Sequence, residues 1–196
     1  MPISILLDGR EAAVAETGAE AVELVRKLEA EQNRVDRVLV SVRVDGEESL
    51  DWEEKLSQSL PQRVELATAP LRVALAAAVD ATLAELPRMG EGFCVAARLL
   101  REGDVAEAGR ILLPLLGGLE SYLALLQYLG RLDARCSSGA ARTVASLDEG
   151  LEAVLSAWGM GDFQRVSIVL EEVLASEVEA GRGWLAEIRP LLQQEE

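Results

Sequence analysis

Apolar and polar positions change period several times in the first third of the chain. Ile3-Ser4-Ile5-Leu6-Leu7 is a strand-like run, and Asp8-Gly9 is the dipeptide that supplies positive φ in a two-residue hairpin turn. Residues 10–16 are expected to return as a second strand. Over residues 18–31 the period becomes helical. Ala21, Val22, Val25 and Leu28 fall at helical spacing, with Glu20, Glu23, Lys27 and Glu31 largely opposite. Thr17 followed by Glu20 has the pattern of a capping box. Residues 37–44 alternate again, with Val38, Val40, Val42 and Val44 on one face, and end at a second Asp-Gly, Asp45-Gly46. A short acidic segment (49–56) and a closing strand, Arg63-Val64-Glu65-Leu66, complete an order of strand, strand, helix, strand, short element, strand.

From Pro70 onward the pattern is helical. Thr68 is a candidate cap and Pro70 suits a first helical turn. Leu71, Val73, Leu75, Val79, Leu83 and Leu86 predict a helix over 71–86, which Pro87 and Gly90 are expected to end. A second helix is expected over 92–101, closing at Gly103. Asp104 then caps a stretch over 105–129, where Pro114 and Gly117-Gly118 should kink or split the helix. Residues 131–142, with Ser137-Ser138-Gly139, read as a connecting loop. Ser146-Leu147-Asp148-Glu149 resembles another capping box and starts a helix to Trp158. Gly159-Met160-Gly161 turns the chain, Asp162 caps again, and a last helix spans 163–189 with Pro190 at its end. Gly181 and Gly183 should weaken that helix by roughly 1 kcal/mol each. The prediction is α+β: a small β-rich domain over 1–69, then an antiparallel bundle of about five helices over 70–196. Arg101-Glu-Gly-Asp-Val-Ala-Glu-Ala and Gly159-Met-Gly-Asp-Phe-Gln-Arg-Val share a Gly-Asp turn leading into a helix, about 58 residues apart. That phrasing suggests two related helical hairpins.

The N-terminal order of elements resembles the β-grasp, or ubiquitin-like, fold, a small mixed sheet crossed by one helix. A C-terminal di-glycine tail is not available for transfer chemistry there, because the region ends Glu65-Leu66-Ala67-Thr68-Ala69-Pro70 and enters a helix. In the second region, Thr68-Ala-Pro-Leu-Arg-Val-Ala-Leu opens the bundle and Leu100-Arg-Glu-Gly-Asp-Val-Ala-Glu-Ala caps a later helix. Gly161-Asp-Phe, Leu170-Glu-Glu-Val-Leu and Trp184 close it. Together these resemble the helical bundle of the flagellar export chaperones that hold unpolymerised flagellin. The resemblance implies a non-catalytic, helical protein with a polypeptide client. The chain departs from that family at its first helix, where Ala76-Ala77-Ala78-Val79-Asp80 replaces a Leu-Tyr-Asp motif.

Composition narrows the chemistry. Hydrophobic residues make up 49% of the 196 positions, enough for a core. The net charge of −15, from 34 acidic and 19 basic residues, disfavours nucleic acid and anionic membrane surfaces as partners. The chain contains no His, which removes imidazole acid–base catalysis, His-dependent nucleophiles and imidazole metal ligands. Glu47, Glu48, Asp51, Glu53 and Glu54 lack the ligand spacing of a Ca²⁺ loop and read as a solvated acidic segment. Glu149, Glu152, Glu171 and Glu172 read as an exposed acidic face. No phosphate loop or nucleophile elbow is present, so neither enzyme, metal nor cofactor is expected. Cys94 and Cys136 form no metal motif, and both are expected as buried thiols in a reducing compartment. The N-terminus lacks a basic signal region. The longest apolar stretch, 111–119, falls short of a bilayer, which points to a cytoplasmic protein without membrane contact.

Binding is the remaining class. Tyr122 and Tyr128, with Leu125 and Leu129, read as core. Trp158, Met160 and Phe163 cluster at a turn, and Trp184 falls on an otherwise polar face. Such aromatics plug bundle ends or anchor interfaces. The expected function is a non-enzymatic adaptor or chaperone-like protein that binds a partner polypeptide or self-associates, possible contact residues being Trp158, Phe163, Val173, Trp184, Leu185 and Ile188. The alternative is a small-molecule binder with an apolar cavity in or beside the bundle.

Overall fold

The computed structural model describes residues 2–132 and 134–193. It divides into two compact units, Met1–Leu75 and Ala76–Glu196.

The first unit is a five-stranded mixed sheet with two helices. Strands β1 (Ile3–Leu7), β2 (Arg10–Ala15), β3 (Arg37–Val44), β4 (Glu47–Glu48) and β5 (Arg63–Pro70) lie in the order β2-β1-β5-β3-β4. The central pair, β1 and β5, is parallel, and the other pairs are antiparallel. Helices α1 (Gly18–Asn33) and α2 (Trp52–Gln58) complete the unit. Both Asp-Gly pairs form the expected turns, with positive φ at Asp8 (49°), Gly9 (80°), Asp45 (52°) and Gly46 (88°), the mirror-image turn that matches strand twist. The Thr17 hydroxyl accepts the amide of Glu20 at 3.2 Å, and the Glu20 carboxylate reaches back to the amide of Glu16 at 2.7 Å. Ile3, Ile5, Ala21, Val25, Leu56 and Val64 meet in the core. α1 enters it at Gly18, where an added Cβ would stand 1.9 Å from the backbone oxygen of Leu56.

Three local expectations change. A bulge between Leu39 and Ser41 breaks the alternation of β3, so Val42 and Val44 are buried while Val40 is 49% exposed. The two-residue β4 has too few residues to register as a period. Pro70 closes β5 rather than opening a helix, and the next helix starts at Leu71, whose amide donates to the Asp36 carbonyl at 2.8 Å.

The two turn aspartates also tie the sheet together. Asp45 accepts the amides of Gln62 and Arg63, both at 2.9 Å. Asp8 accepts the Thr68 amide at 2.8 Å and its hydroxyl at 2.7 Å, with Arg37 at 3.3 Å. The hydrogen bonds from Thr68, helped by Arg37, hold the Asp8 carboxyl below its ordinary value of 3.8.

The remaining helices are α3 (Leu71–Glu102), α4 (Val105–Leu132), α5 (Ala134–Gly159), α6 (Phe163–Ile168), a π-helical turn (Val169–Leu174) and α7 (Ala175–Gln193). Pro87, Pro114 and Pro190 all lie inside helices instead of ending or splitting them. The apolar faces on either side outweigh the local penalty: Leu86, Met89 and Phe93 are buried around Pro87, and Leu112 and Leu119 around Pro114. The expected loop at 131–142 is largely the first turns of α5 for the same reason, since Ala140 and Thr143 are buried. Continuity also makes α4 long and apolar enough to cross a membrane by length and composition, with mean hydropathy 1.3 over its most apolar 18 residues, contrary to the short-run reading. Leu119, Tyr122 and Leu126 are among the 28% of those residues that are buried. Cys94 is exposed and unpaired rather than buried, because the inward face of α3 runs through Phe93, Ala96, Ala97 and Leu100. Cys136 has a side chain outside those described.

The repeated Gly-Asp phrase is a repeated structure. Gly103 and Gly161 have φ of 86° and 72°. Asp104 and Asp162 donate their amides to the carbonyls of Leu99 and Ala157, each at 2.9 Å, a Schellman closure. Their carboxylates then cap Glu107 at 3.1 Å and Arg165 at 3.0 Å. The helices that follow bury matching positions. Ala108 and Leu112 of α4 correspond at a fixed offset to Val166 and Leu170. Beyond the π-helical turn, Leu119, Tyr122, Leu126 and Leu129 correspond to Val178, Gly181, Leu185 and Ile188 with the offset increased by one. Buried residues spaced by four drift about 40° per step in an α-helix, and the wider turn returns them to one face. The helical unit is therefore two like hairpins, α3–α4 and α5–α7, the second carrying one inserted residue.

Two outcomes are expected. Because the folded-state pKa of Asp8 is lowered, its charge stabilises fully above the unfolded value and loses that effect on acidification. Asp8→Asn should reduce stability at neutral pH by about 1 kcal/mol or less, screening included, with the gap closing in urea unfolding as pH falls below the ordinary carboxylate value and through the lowered one. Deletion of Glu172 from the π-helical turn should keep the fold with a loss under about 1 kcal/mol, whereas deletion of Ala180 should rotate Leu185 and Ile188 out of the core and unfold the unit, as read by circular dichroism.

Candidate functional site

A groove of about 330 Å³ lies between α3 and α4 in the helical unit. Each helix presents one wall because two glycines let large side chains close in. The methyl of Met89 would lie 3.1 Å from a Cβ on Gly118, and a methyl of Leu115 2.7 Å from a Cβ on Gly92. Leu86, Met89 and Tyr122 form the buried floor, and Leu115 and Gly118 the half-buried side. Ala81, Glu85, Arg88, Pro114 and Ser121 make an exposed rim, with Glu85 and Arg88 paired at 3.1 Å.

Tyr122 links this groove to the second hairpin. The residue is 2% exposed and its hydroxyl has no hydrogen-bond partner among the described residues. An added Cβ at Gly181 would stand 1.8 Å from that oxygen, so the tyrosine occupies the space Gly181 leaves on α7. Burial raises the phenol pKa strongly, and the nearby negative charge of Glu177 adds to the effect. The group is a neutral space-filler, unsuited to acid–base work at neutral pH.

The six residues read from sequence as contact residues do not line the groove. Trp158 and Phe163 are half-buried and meet edge to face at 5.3 Å across the Gly161 turn, with Met160 69% exposed beside them. Val173 is half-buried near Gly150. The Trp184 indole lies over Gly139, Nε1 standing 2.2 Å from where a Cβ would be. Leu185 and Ile188 are buried in the core. Tyr122 is core as expected, while Tyr128 is 42% exposed. Gly181 serves as a seat for Tyr122 instead of loosening the helix; Gly183 faces open space. The groove is not legible in the sequence because Pro87 predicts a helix end and Pro114 a kink or split in the helices that form its walls.

In the sheet unit, a second recess of about 230 Å³ lies between Glu29, the bulged part of β3 and Leu50. Three acidic residues of the neighbouring segment are engaged in ion pairs or hydrogen bonds. Glu53 receives Arg26 at 2.6 Å, Glu47 receives Lys55 at 3.0 Å and Glu54 receives Gln58 at 2.7 Å. Among the described residues no group of three or more His, Cys, Asp or Glu side chains is placed to hold a metal ion. Comparison of the chain with family models, with curated proteins and with solved structures gave no match.

The two helix glycines should respond oppositely to the same substitution. Gly183→Ala should stabilise by about 0.5–1 kcal/mol, as in an open helix position. Gly181→Ala should destabilise by about 2 kcal/mol through the Tyr122 hydroxyl, and Tyr122→Phe should recover part of that loss. Urea denaturation of the four proteins measures all three terms.

Proposed function

We propose that this chain is a non-enzymatic adaptor or chaperone-like protein whose helical unit binds an amphipathic helix of a partner polypeptide in the α3–α4 groove. The observation that carries the reading is the groove itself. It pairs an apolar floor of Leu86, Met89 and Tyr122 with a polar rim, the form in which one buried anchor side chain supplies most of the binding energy. The net charge of −15 favours a client with basic residues beside its apolar stripe, and works against nucleic acid and anionic membranes. The absence of His, with a neutral buried Tyr122, supports a binding role over catalysis.

Several finer readings accompany it. The strand order β2-β1-β5-β3-β4 around a parallel central pair, with one long helix, supports assigning the first unit to the β-grasp fold. Tight turns between successive long helices support an antiparallel bundle for the second unit, and that architecture is what the resemblance to flagellar export chaperones rests on. The exposed, unpaired Cys94 fits a reducing cytoplasm.

A photo-crosslinking amino acid at Ser121, an exposed rim position, tests the reading in cells of the source organism. The expected product is a covalent adduct to a helical segment of one polypeptide, lost when Ala81→Trp fills the groove. An adduct only to a second copy of the chain, or native mass spectra showing a small apolar ligand displaced by Ala81→Trp, would overturn it.

A further inference from the structure

The last row of the sheet in the first unit covers only one end of its neighbour. We propose that the outer edge of β3 over residues 37–41 docks an extended, basic segment of a partner polypeptide, which adds a strand there in line with β4 and antiparallel to β3. This surface belongs to the first unit and does not depend on the α3–α4 groove.

β3 pairs with β5 along its whole length, from Arg37 opposite Pro70 to Val44 opposite Val64, but β4 covers only Arg43 and Val44 on the other side. Ser49 adds one bond, its amide donating to the Val42 carbonyl at 3.0 Å, and the chain then leaves the row at Leu50 and enters α2. Among the described residues no strand lies beside residues 37–41 on that side. The register decides which main-chain groups face outward. The Leu71 amide donates to the Asp36 carbonyl, so the next hydrogen-bonded pair, two residues on, is Val38 with Ala69. Arg37 and Leu39 therefore turn their N–H and C=O groups away from β5, just as the Thr68 amide opposite Leu39 turns away to Asp8. Such a row specifies an extended backbone as its partner, because a helix spends its own N–H and C=O groups internally. The bulge at Val40 ends the row and limits the added segment to about four residues.

The recess of about 230 Å³ beside this edge supplies the side-chain contacts. Leu39, Val40 and Val42 line it from β3, Leu50 and Trp52 from the segment after β4, and Glu29 from α1. A residue paired with Leu39 shares its face, the one that packs against the core, so an apolar side chain there falls beside the half-buried Trp52 and Leu50, which is 94% exposed. Glu29 and Glu48 border the same recess, and among the described residues neither makes an ion pair or hydrogen bond, in contrast to Glu47, Glu53 and Glu54. In a chain of net charge −15, two unpaired carboxylates beside an apolar recess select lysine or arginine in the incoming strand. A second copy fits worse. Pairing β3 with β3 sets two such carboxylate borders together, and pairing it with β2, the opposite edge of the sheet, joins copies head to tail without closure.

Residue-resolved amide hydrogen exchange by NMR on the full chain tests the proposal, with a capped peptide of alternating valine and lysine as the probe. In the free chain the Leu39 amide should exchange at least about a hundredfold faster than that of Val38, which is bonded to β5. The peptide should slow Leu39 saturably. With valine placed opposite Leu39, the valine amides face β3 and the lysine amides face solvent. N-methylation of the valine amides should therefore weaken binding by about tenfold or more, while N-methylation of the lysine amides leaves it intact. A valine–glutamate peptide should bind about tenfold more weakly. Leu50→Ser, at an exposed position, should leave exchange in the free chain unchanged and weaken the lysine peptide about threefold. A Leu39 amide as protected as that of Val38 without peptide, no slowing with it, or equal binding by the two methylated peptides or by the glutamate peptide would overturn the proposal. Protection of Leu39 that grows with chain concentration alone would assign the edge to a second copy and contradict it as well.

Discussion

The helical unit is organised around the seating of Tyr122 against Gly181. These two residues are each other's counterparts in the two hairpins, and they meet where α4 faces α7. A side chain at both positions would force the helices apart, and a glycine at both would leave a void; one large and one absent side chain lets them close. The cost is a buried hydroxyl without a partner, roughly 1–3 kcal/mol by the usual measure of such groups. Gly92 under Leu115, Gly150 under Leu174 and Gly139 under Trp184 repeat the device with apolar or aromatic side chains. Close approach at glycines works together with a buried leucine layer that includes Leu119, Leu126, Leu129, Leu147, Leu170 and Leu174.

That geometry accounts for the π-helical turn. α4 keeps its buried positions on one face without it, whereas the second hairpin carries an extra residue between Leu170 and Leu174 and absorbs it as a wider turn. The insertion leaves Val178, Leu185 and Ile188 in the register that Leu119, Leu126 and Leu129 hold in α4. Exposed ion pairs join α3 to both ends of the segment, Arg101 with Glu171 at 2.5 Å and Arg189 with Asp80. As solvated pairs they add little stability and chiefly fix orientation.

Much of the sheet unit was legible because its signals are local. The Asp-Gly turns, the Thr17 cap and the limits of β3 each depend on a few adjacent residues. The bulge at Val40 and the two-residue β4 were not, since they depend on pairing with distant strands. In the helical unit the caps at Asp104 and Asp162 were readable, but Pro87, Pro114 and Pro190 misled. A proline's local penalty is visible in the sequence, whereas the burial on both sides that offsets it is not. The groove was hidden for that reason. Gly181 misled differently: its role depends on Tyr122, a residue far away in sequence, and nothing in its own neighbourhood signals a seat.

The same account distinguishes two views of the C-terminal helix. Trp184, Leu185 and Ile188 could belong to a segment that detaches to meet a partner, or to a fixed half of a duplicated core that leaves the opposite groove free. The buried seats of Tyr122 and Trp184 favour the fixed half. Native-state hydrogen exchange on the full chain measures this most directly. The account predicts that amides over 178–188 exchange as slowly as those over 119–129, both limited by unfolding of the whole unit. Exchange over 178–188 faster by two or more orders of magnitude, with 119–129 still protected, would contradict it.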